Sequence, residues 1–256
     1  MKIITLNLFY PGPNELFLQA VKWLVSQQAD IMLLQEVCSS PSKTLPEKFR
    51  KLEVLKTSFP AYFADFMPCV TDTREIEGEV TDGNLVLSRY PLSELKHVFV
   101  DKGHGFYDHD ATTDFSEWPA GFIVGNLELE NKRIKLINLH GPVNLNGSEA
   151  DERRLKMKEK LLQELEDESR VILGGDSNAR INNPIIKELE SKLINPFAGE
   201  LITTFNISRK NLVKNPGYAE SIVDVLFVSP EIKVLSHTQP QVDVSDHLPL
   251  VIEIVA

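Results

Sequence analysis

The chain has 256 residues, 42% of them hydrophobic, and its 27 basic and 37 acidic side chains give a formal net charge of −10. That length and apolar content allow a sizeable core. The acidic balance argues against long non-specific duplex binding, which draws on clustered Lys and Arg, and favours a small phosphorylated substrate or one handled through a metal ion. No run approaches the roughly 18 apolar residues of a membrane span. Cys38 and Cys69 are the only cysteines and form no CxxC, so they read as buried thiols in a reducing, cytoplasmic setting.

In chain order, KIITLNL (2–8) is β-rich and stops at Pro11-Gly12-Pro13, where a signal peptide would instead need a small-residue cleavage site. Asn14 is expected to cap a helix with Phe17, Ala20, Val21, Leu24 and Val25 on one face. IMLLQEV (31–37) reads as a buried strand. A second helix is expected from Pro46, with Phe49, Leu52 and Leu55 inward. Strands follow at 61–66, 83–88, 96–101, 121–129 and 133–140. Ser148 and Asp151 signal a charged helix to about Glu168 with Leu155, Leu162 and Leu165 on one side. VILGGD, a short helix from Pro184, IVDVLFVS (222–229) and LVIEIVA (250–256) complete the series. No Pro/Ser linker divides the chain, so residues 1–256 are expected to form one catalytic domain. The polar segment 101–119 is long for a connection and reads as functional or solvated.

Strand, helix, strand recurs, from Asn7 to Glu36 and from His140 to Asp176. Such units imply parallel neighbours whose C-terminal ends share one sheet edge. Each would bring a polar residue and a carboxylate to that edge. Asp224 and the Asp246-His247 pair also abut apolar β-type sequence. Ionised carboxylates are costly to bury unless paired or bound to metal. A convergent set of carboxylates, amides and histidines suits a hard divalent cation and a phosphate ester.

The segments TLNL (5–8), LLQEV (33–37), GNLVLSRYPL (83–92), INLH (137–140), GGDSNAR (174–180), VDVLFV (223–228) and SDHLPL (245–250) stand in an order that resembles the endonuclease/exonuclease/phosphatase superfamily. Pancreatic deoxyribonuclease, apurinic endonucleases, neutral sphingomyelinases and inositol polyphosphate 5-phosphatases typify it. The resemblance implies an α/β fold, a four-layer α/β/β/α sandwich of two packed mixed sheets flanked by helices. It implies that Glu36 binds Mg²⁺ or Mn²⁺, with Asn7 supporting that site and Asp246 near the same ion, directly or through a water. Asp176 would position or deprotonate the attacking water, with Asn178 beside it on the nucleophile or phosphate. His247, backed by Asp224, and His140 would contact the scissile phosphate, with Asn144 as a further substrate contact. His140 argues against the apurinic branch, which carries a tyrosine at that position. The position between Asp176 and Asn178, often apolar in the family, is Ser177 here.

The expected activity is therefore direct attack of water on a small or lipid-like phosphodiester or phosphomonoester. The alternatives are a metal-dependent nuclease acting on DNA or RNA and, more distantly, a Gly-Asp-Ser esterase using Ser177. The esterase reading lacks an acid three residues before His247, where Val244 stands. No phosphate-loop motif follows the glycines; Gly174 and Gly175 are expected to open the strand end toward substrate. No obligate protein partner is evident. His97 reads as structural. His104, Asp108, His109, Asp110 and Asp114 read as a solvated loop, with an auxiliary metal or substrate contact as the alternative. Phe106 and Trp118 are candidates for an apolar rim, and one of Arg153 and Arg154 for the phosphate side.

Overall fold

The computed structural model describes residues 1–73, 79–109, 111, 115–129, 132–144, 147–166 and 168–255. Asp110 and Asp114 lie outside the described residues. Strand β1 (Lys2–Asn7), helix α1 (Asn14–Gln27) and strand β2 (Ile31–Ser39) form the first crossover unit, with β1 and β2 parallel. Helix α2 (Lys51–Ser58) precedes the antiparallel pair β3 (Phe63–Asp72) and β4 (Val80–Ser88). Strands β5 (Leu92–Phe99), β6 (Gly105–Tyr107), β7 (Gly121–Leu129) and β8 (Lys132–His140) follow. Helix α3 (Glu152–Leu165) then crosses over to β9 (Val171–Asp176), parallel to β8. Helix α4 (Pro184–Glu190) and strands β10 (Asp224–Val228), β11 (Val234–Thr238) and β12 (Leu250–Ile254) complete the chain.

The strands make two mixed sheets, ordered β11-β12-β1-β2-β4-β3-β6 and β10-β9-β8-β7-β5. Side chains on successive strand residues point to opposite faces. Ile3, Leu33, Leu136, Ile172 and Leu226 accordingly meet between the sheets. Ile4, Leu6, Met32 and Leu34 turn outward onto α1 and α2, where Phe17, Ala20 and Leu24 cover them. Ile137, Leu139, Leu173 and Phe227 turn the other way, onto Met157 and Leu161 of α3 and Ile186 of α4. Three apolar layers thus bind four layers of structure, as the fold resemblance implies; each fully buried aliphatic side chain contributes about 1.5–3 kcal/mol.

Several local expectations are corrected. Asn14 is not the cap of α1; Pro13 holds that position, and the Asn14 amide instead accepts from Lys48 N (2.9 Å) and donates to Glu47 (3.1 Å). Val25 is 46% exposed, since the apolar face of α1 ends at Leu24. The helix expected from Pro46 divides into a single 3₁₀ turn, Glu47–Phe49, and α2. Helix α3 is capped by Asp151, which accepts from Arg154 N, but its buried residues are Arg154, Met157 and Leu161, while Leu155 is exposed.

Candidate active site between the sheets

On each central strand the face that builds the inter-sheet core runs on into polar residues. Thr5 leads to Asn7, Leu33 to Gln35, Asn138 to His140, Gly174 to Asp176, and Leu226 back to Asp224. Register aligns these ends: Asn7 lies beside Gln35, His140 beside Asp176, and Asp176 beside Asp224. Beneath them Gln35 Nε2 donates to Asn138 Oδ1 (2.7 Å), and Asn138 Nδ2 donates to the carbonyls of Leu34 and Leu85 (3.0 Å each). This amide bridge joins the two sheets directly under the site.

Strand β2 does not end at Glu36. It slips register against β4 between Leu34 and Val37, Glu36 takes a φ of 55°, and the strand resumes to Ser39. The left-handed conformation costs a non-glycine residue roughly 1–2 kcal/mol, so the bulge needs support. Lys51 supplies it: its ammonium, wholly buried, donates to the carbonyls of Leu8 (2.9 Å), Phe9 (3.1 Å) and Glu36 (2.9 Å). Asn7 Nδ2 then bridges Glu36 Oε1 (2.9 Å) and Asp176 Oδ2 (3.1 Å), one carboxylate from each sheet. Tyr10 N donates to the other Glu36 oxygen.

Asp176 is 2% exposed and accepts from Asn178 N at Oδ1 (2.8 Å). Burial, then the like charge of Asp224, raises its pKa above the usual carboxylate range, against the opposing pull of His247 and His140. His247 Nδ1 is bonded to Asp224 Oδ2 (2.8 Å), and its Nε2 stands 3.8 Å from Asp176 Oδ2. Burial alone would lower the imidazole's pKa, but the charge and hydrogen bond of Asp224, with Asp176 and Asp246 adding, push it up to about 10. Ligating atoms of Asp176, Asp224 and His247 lie within 4.8 Å of one another. The Nδ1–Asp224 bond gives the group the form of a charge relay, and the same three side chains could also hold a cation.

Asp246 has a partner that sequence reasoning missed. Lys210 donates to its Oδ2, and the same ammonium lies 4.5 Å from the Phe205 ring centre and 5.0 Å from that of Tyr218. Asn144 donates to Asp151 (2.7 Å). The buried guanidinium of Arg154 donates to the carbonyls of Glu149, Asn144 and Asn178, tying these loops together. Arg153 faces away from the relay, clamping Asp101 and the Trp118 carbonyl.

Ser177 is wholly buried, and its Oγ bonds to the carbonyls of Ala179 (2.9 Å) and Val223 (2.7 Å). A nucleophilic serine is thereby excluded. The two glycines before it serve close packing instead of opening the strand end. A Cβ on Gly175, at φ 140°, would sit 1.9 Å from the Leu139 carbonyl oxygen, and one on Gly174 would meet Leu33 of the facing sheet at 2.8 Å.

A cavity of about 630 Å³ brings together Glu36, His140, Asn144, Asp176, Asn178, Asp246 and His247. Asn7 and Asp224 lie behind its wall, 1% and 2% exposed. Trp118, Phe115 and His109 line its rim, whereas Phe106 is 66% exposed elsewhere and His104 bonds Thr71 (2.9 Å). His97 pairs with Asp65 (2.8 Å), a structural contact. A second hollow of about 560 Å³ backs onto Asp224 and is otherwise lined chiefly by apolar side chains such as Leu193, Phe197 and Leu226.

With this geometry in view, residues 4–247 match the sequence profile of the Endonuclease/Exonuclease/phosphatase family. The chain belongs to that family. As an endonuclease/exonuclease/phosphatase protein it is a hydrolase of phosphate-ester bonds, in a family whose enzymes are generally dependent on divalent metals. Among curated proteins none matches its sequence. Solved structures of similar fold include an endonuclease/exonuclease/phosphatase from Beutenbergia cavernae (TM-score 0.74, 16% identity, covering 99% of this chain and 71% of that one). The human Nocturnin catalytic domain with bound sulfate anion is similar too (0.72, 18%, 100% and 93%). So is a mannosyl-6-phosphatase from Bacteroides thetaiotaomicron (0.68, 16%, 100% and 100%). At these identities the likeness concerns the fold. No helix among the described residues is long and apolar enough to cross a membrane.

Proposed function

We propose that this chain hydrolyses a small or lipid-like phosphate ester by direct attack of water, using Mg²⁺ or Mn²⁺. The observation that carries the reading is the Asn7 amide held between Glu36 and Asp176, with His247 Nε2 3.8 Å from the same Asp176 oxygen. The donor set fits such an ion: Glu36 and Asp246 offer hard carboxylate oxygens to the same cavity, with Asn7 fixing Glu36. When bound there, the ion would neutralise a non-bridging phosphate oxygen and stabilise the leaving oxygen.

The chain's own groups do the rest. Asp176, its basicity raised by burial, orients the water and accepts its proton. His247, kept cationic by Asp224, donates from Nε2 to the phosphate, and His140 faces the same cavity. Asn178 Nδ2 is engaged by the Gly141 carbonyl (3.0 Å), which fixes the amide beside Asp176. The acidic balance of the chain supports a small ester over a duplex. Free, buried Cys38 and Cys69 suit a cytoplasmic setting as part of the same proposal.

The test is hydrolysis of bis-p-nitrophenyl phosphate. Turnover should require added Mg²⁺ or Mn²⁺, vanish with a chelator, and fall by at least about 100-fold in Asp176→Asn, while Ser177→Ala retains it. Metal-independent turnover, or the opposite order of the two variants, would overturn the reading. A panel of nucleic acid, lipid and inositol phosphate substrates then separates the nuclease alternative.

A further inference from the structure

We propose that Arg180 forms a second anion-binding position in the cavity, so that the substrate carries a carboxylate or a second phosphate besides the ester that is cleaved. The proposal rests on the phosphoesterase reading and names the class of substrate within it.

Cations around the site are otherwise committed. Lys51 and Arg154 are buried against backbone carbonyls, Arg153 is paired with Asp101, and Lys210 with Asp246. Arg180 lines the cavity, yet among the described residues its guanidinium has neither a hydrogen bond nor an ion pair. In a chain with more acidic than basic side chains, a guanidinium so placed meets no acid among the described residues.

The surroundings hold its attachment point in place. Its backbone is pinned, with Arg180 N donating to the Gly147 carbonyl (2.9 Å) and Asn183 N to the Arg180 carbonyl (2.8 Å). Two glycines flank the side chain. A Cβ on Gly147 would come within 3.0 Å of Arg180 Cγ, and one on Gly217 within 2.7 Å of Nη2. The side chain therefore passes close to the backbone at both glycines. Four residues along the chain from Asp176, it shares a cavity with the reacting groups. An always-charged planar fork matches the paired oxygens of a carboxylate or phosphate.

The experiment uses phosphodiesters with a p-nitrophenyl leaving group and a second arm of graded length ending in a carboxylate, a phosphate or a neutral amide. Binding of each to the Asp176→Asn protein with Mg²⁺ is measured by calorimetry, and hydrolysis by the unsubstituted protein in parallel. At one arm length the charged arm should bind roughly 10- to 100-fold tighter than the amide. That preference should collapse toward unity in Arg180→Gln and be partly kept in Arg180→Lys. The better of carboxylate and phosphate identifies the source of the anion. Equal binding of charged and neutral arms at every length, or a preference that survives Arg180→Gln, overturns the proposal. Absence of hydrolysis with any diester and with p-nitrophenyl phosphate sinks the phosphoesterase reading instead, and the binding comparison still decides Arg180.

Discussion

Asp224 and His247 meet at 2.8 Å where almost no solvent reaches, 2% and 5% exposed. The carboxylate fixes the Nδ1 proton, so Nε2 is the nitrogen left for the cavity. A buried imidazole without such a partner would be neutral.

This arrangement sets the alkaline behaviour. His247 is raised from an ordinary value of 6.5 to about 10. Its stabilising contribution is therefore fully present below about pH 6.5 and is lost as pH rises through about 10. Activity should hold to that upper value, and in Asp224→Asn the alkaline limb should move down by one or more pH units. Unfolding temperatures near pH 6 and pH 10.5 should converge in His247→Gln relative to the unsubstituted protein. An unchanged limb in Asp224→Asn would contradict the relay.

The Gln35–Asn138 bridge gives a stability prediction. Asn138→Leu removes donors to two carbonyls and takes from Gln35 its shortest bond, the one to the facing sheet. The expected cost is about 3 kcal/mol, read as a fall in Tm of roughly 6–12 °C. A variant as stable as the original would mean that the buried amides contribute nothing to joining the sheets.

Lys51 makes no direct contact with the Glu36 carboxylate but holds the carbonyl of the bulge beneath it. In Lys51→Met the half-saturating Mg²⁺ concentration should rise by roughly 10- to 100-fold, the usual size of effects transmitted through a ligand's support. The readout is a metal titration of activity alongside thermal unfolding. Loss of stability with unchanged metal dependence would assign Lys51 to the core alone.

Lys210 leads to the opposite expectation. Its ammonium occupies an Asp246 oxygen that a divalent ion would otherwise attract. Lys210→Met should lower the half-saturating Mg²⁺ concentration, by an amount set by that competition. A weaker metal response would show that Lys210 assists the ion instead of competing with it.

The central strands and both crossover units were legible because each strand buries two faces or alternates cleanly, and because α1 and α3 carry helical spacing between them. The edges were not. β11 reads VLSHT, with no apolar face to mark it, and β6 is only Gly105–Tyr107. The inward side of α3 was misread at Leu155 because Arg154, which reads as a surface charge, is the residue buried there. Among the site residues, carboxylates and histidines abutting apolar runs announced themselves by the cost of burying charge. Lys210 sits in the aperiodic stretch between α4 and β10, and its role arises only from tertiary contact with Asp246 and two rings. A Glu at φ 55° leaves no trace in sequence at all.

The Asn7 bridge has a consequence for how the molecule becomes competent. Glu36 belongs to one sheet, Asp176 to the other, and a single amide touches both. Neither sheet alone presents a hydrolytic centre, so a chain with one sheet assembled is silent toward phosphate esters. Activity thus requires both sheets to be docked together.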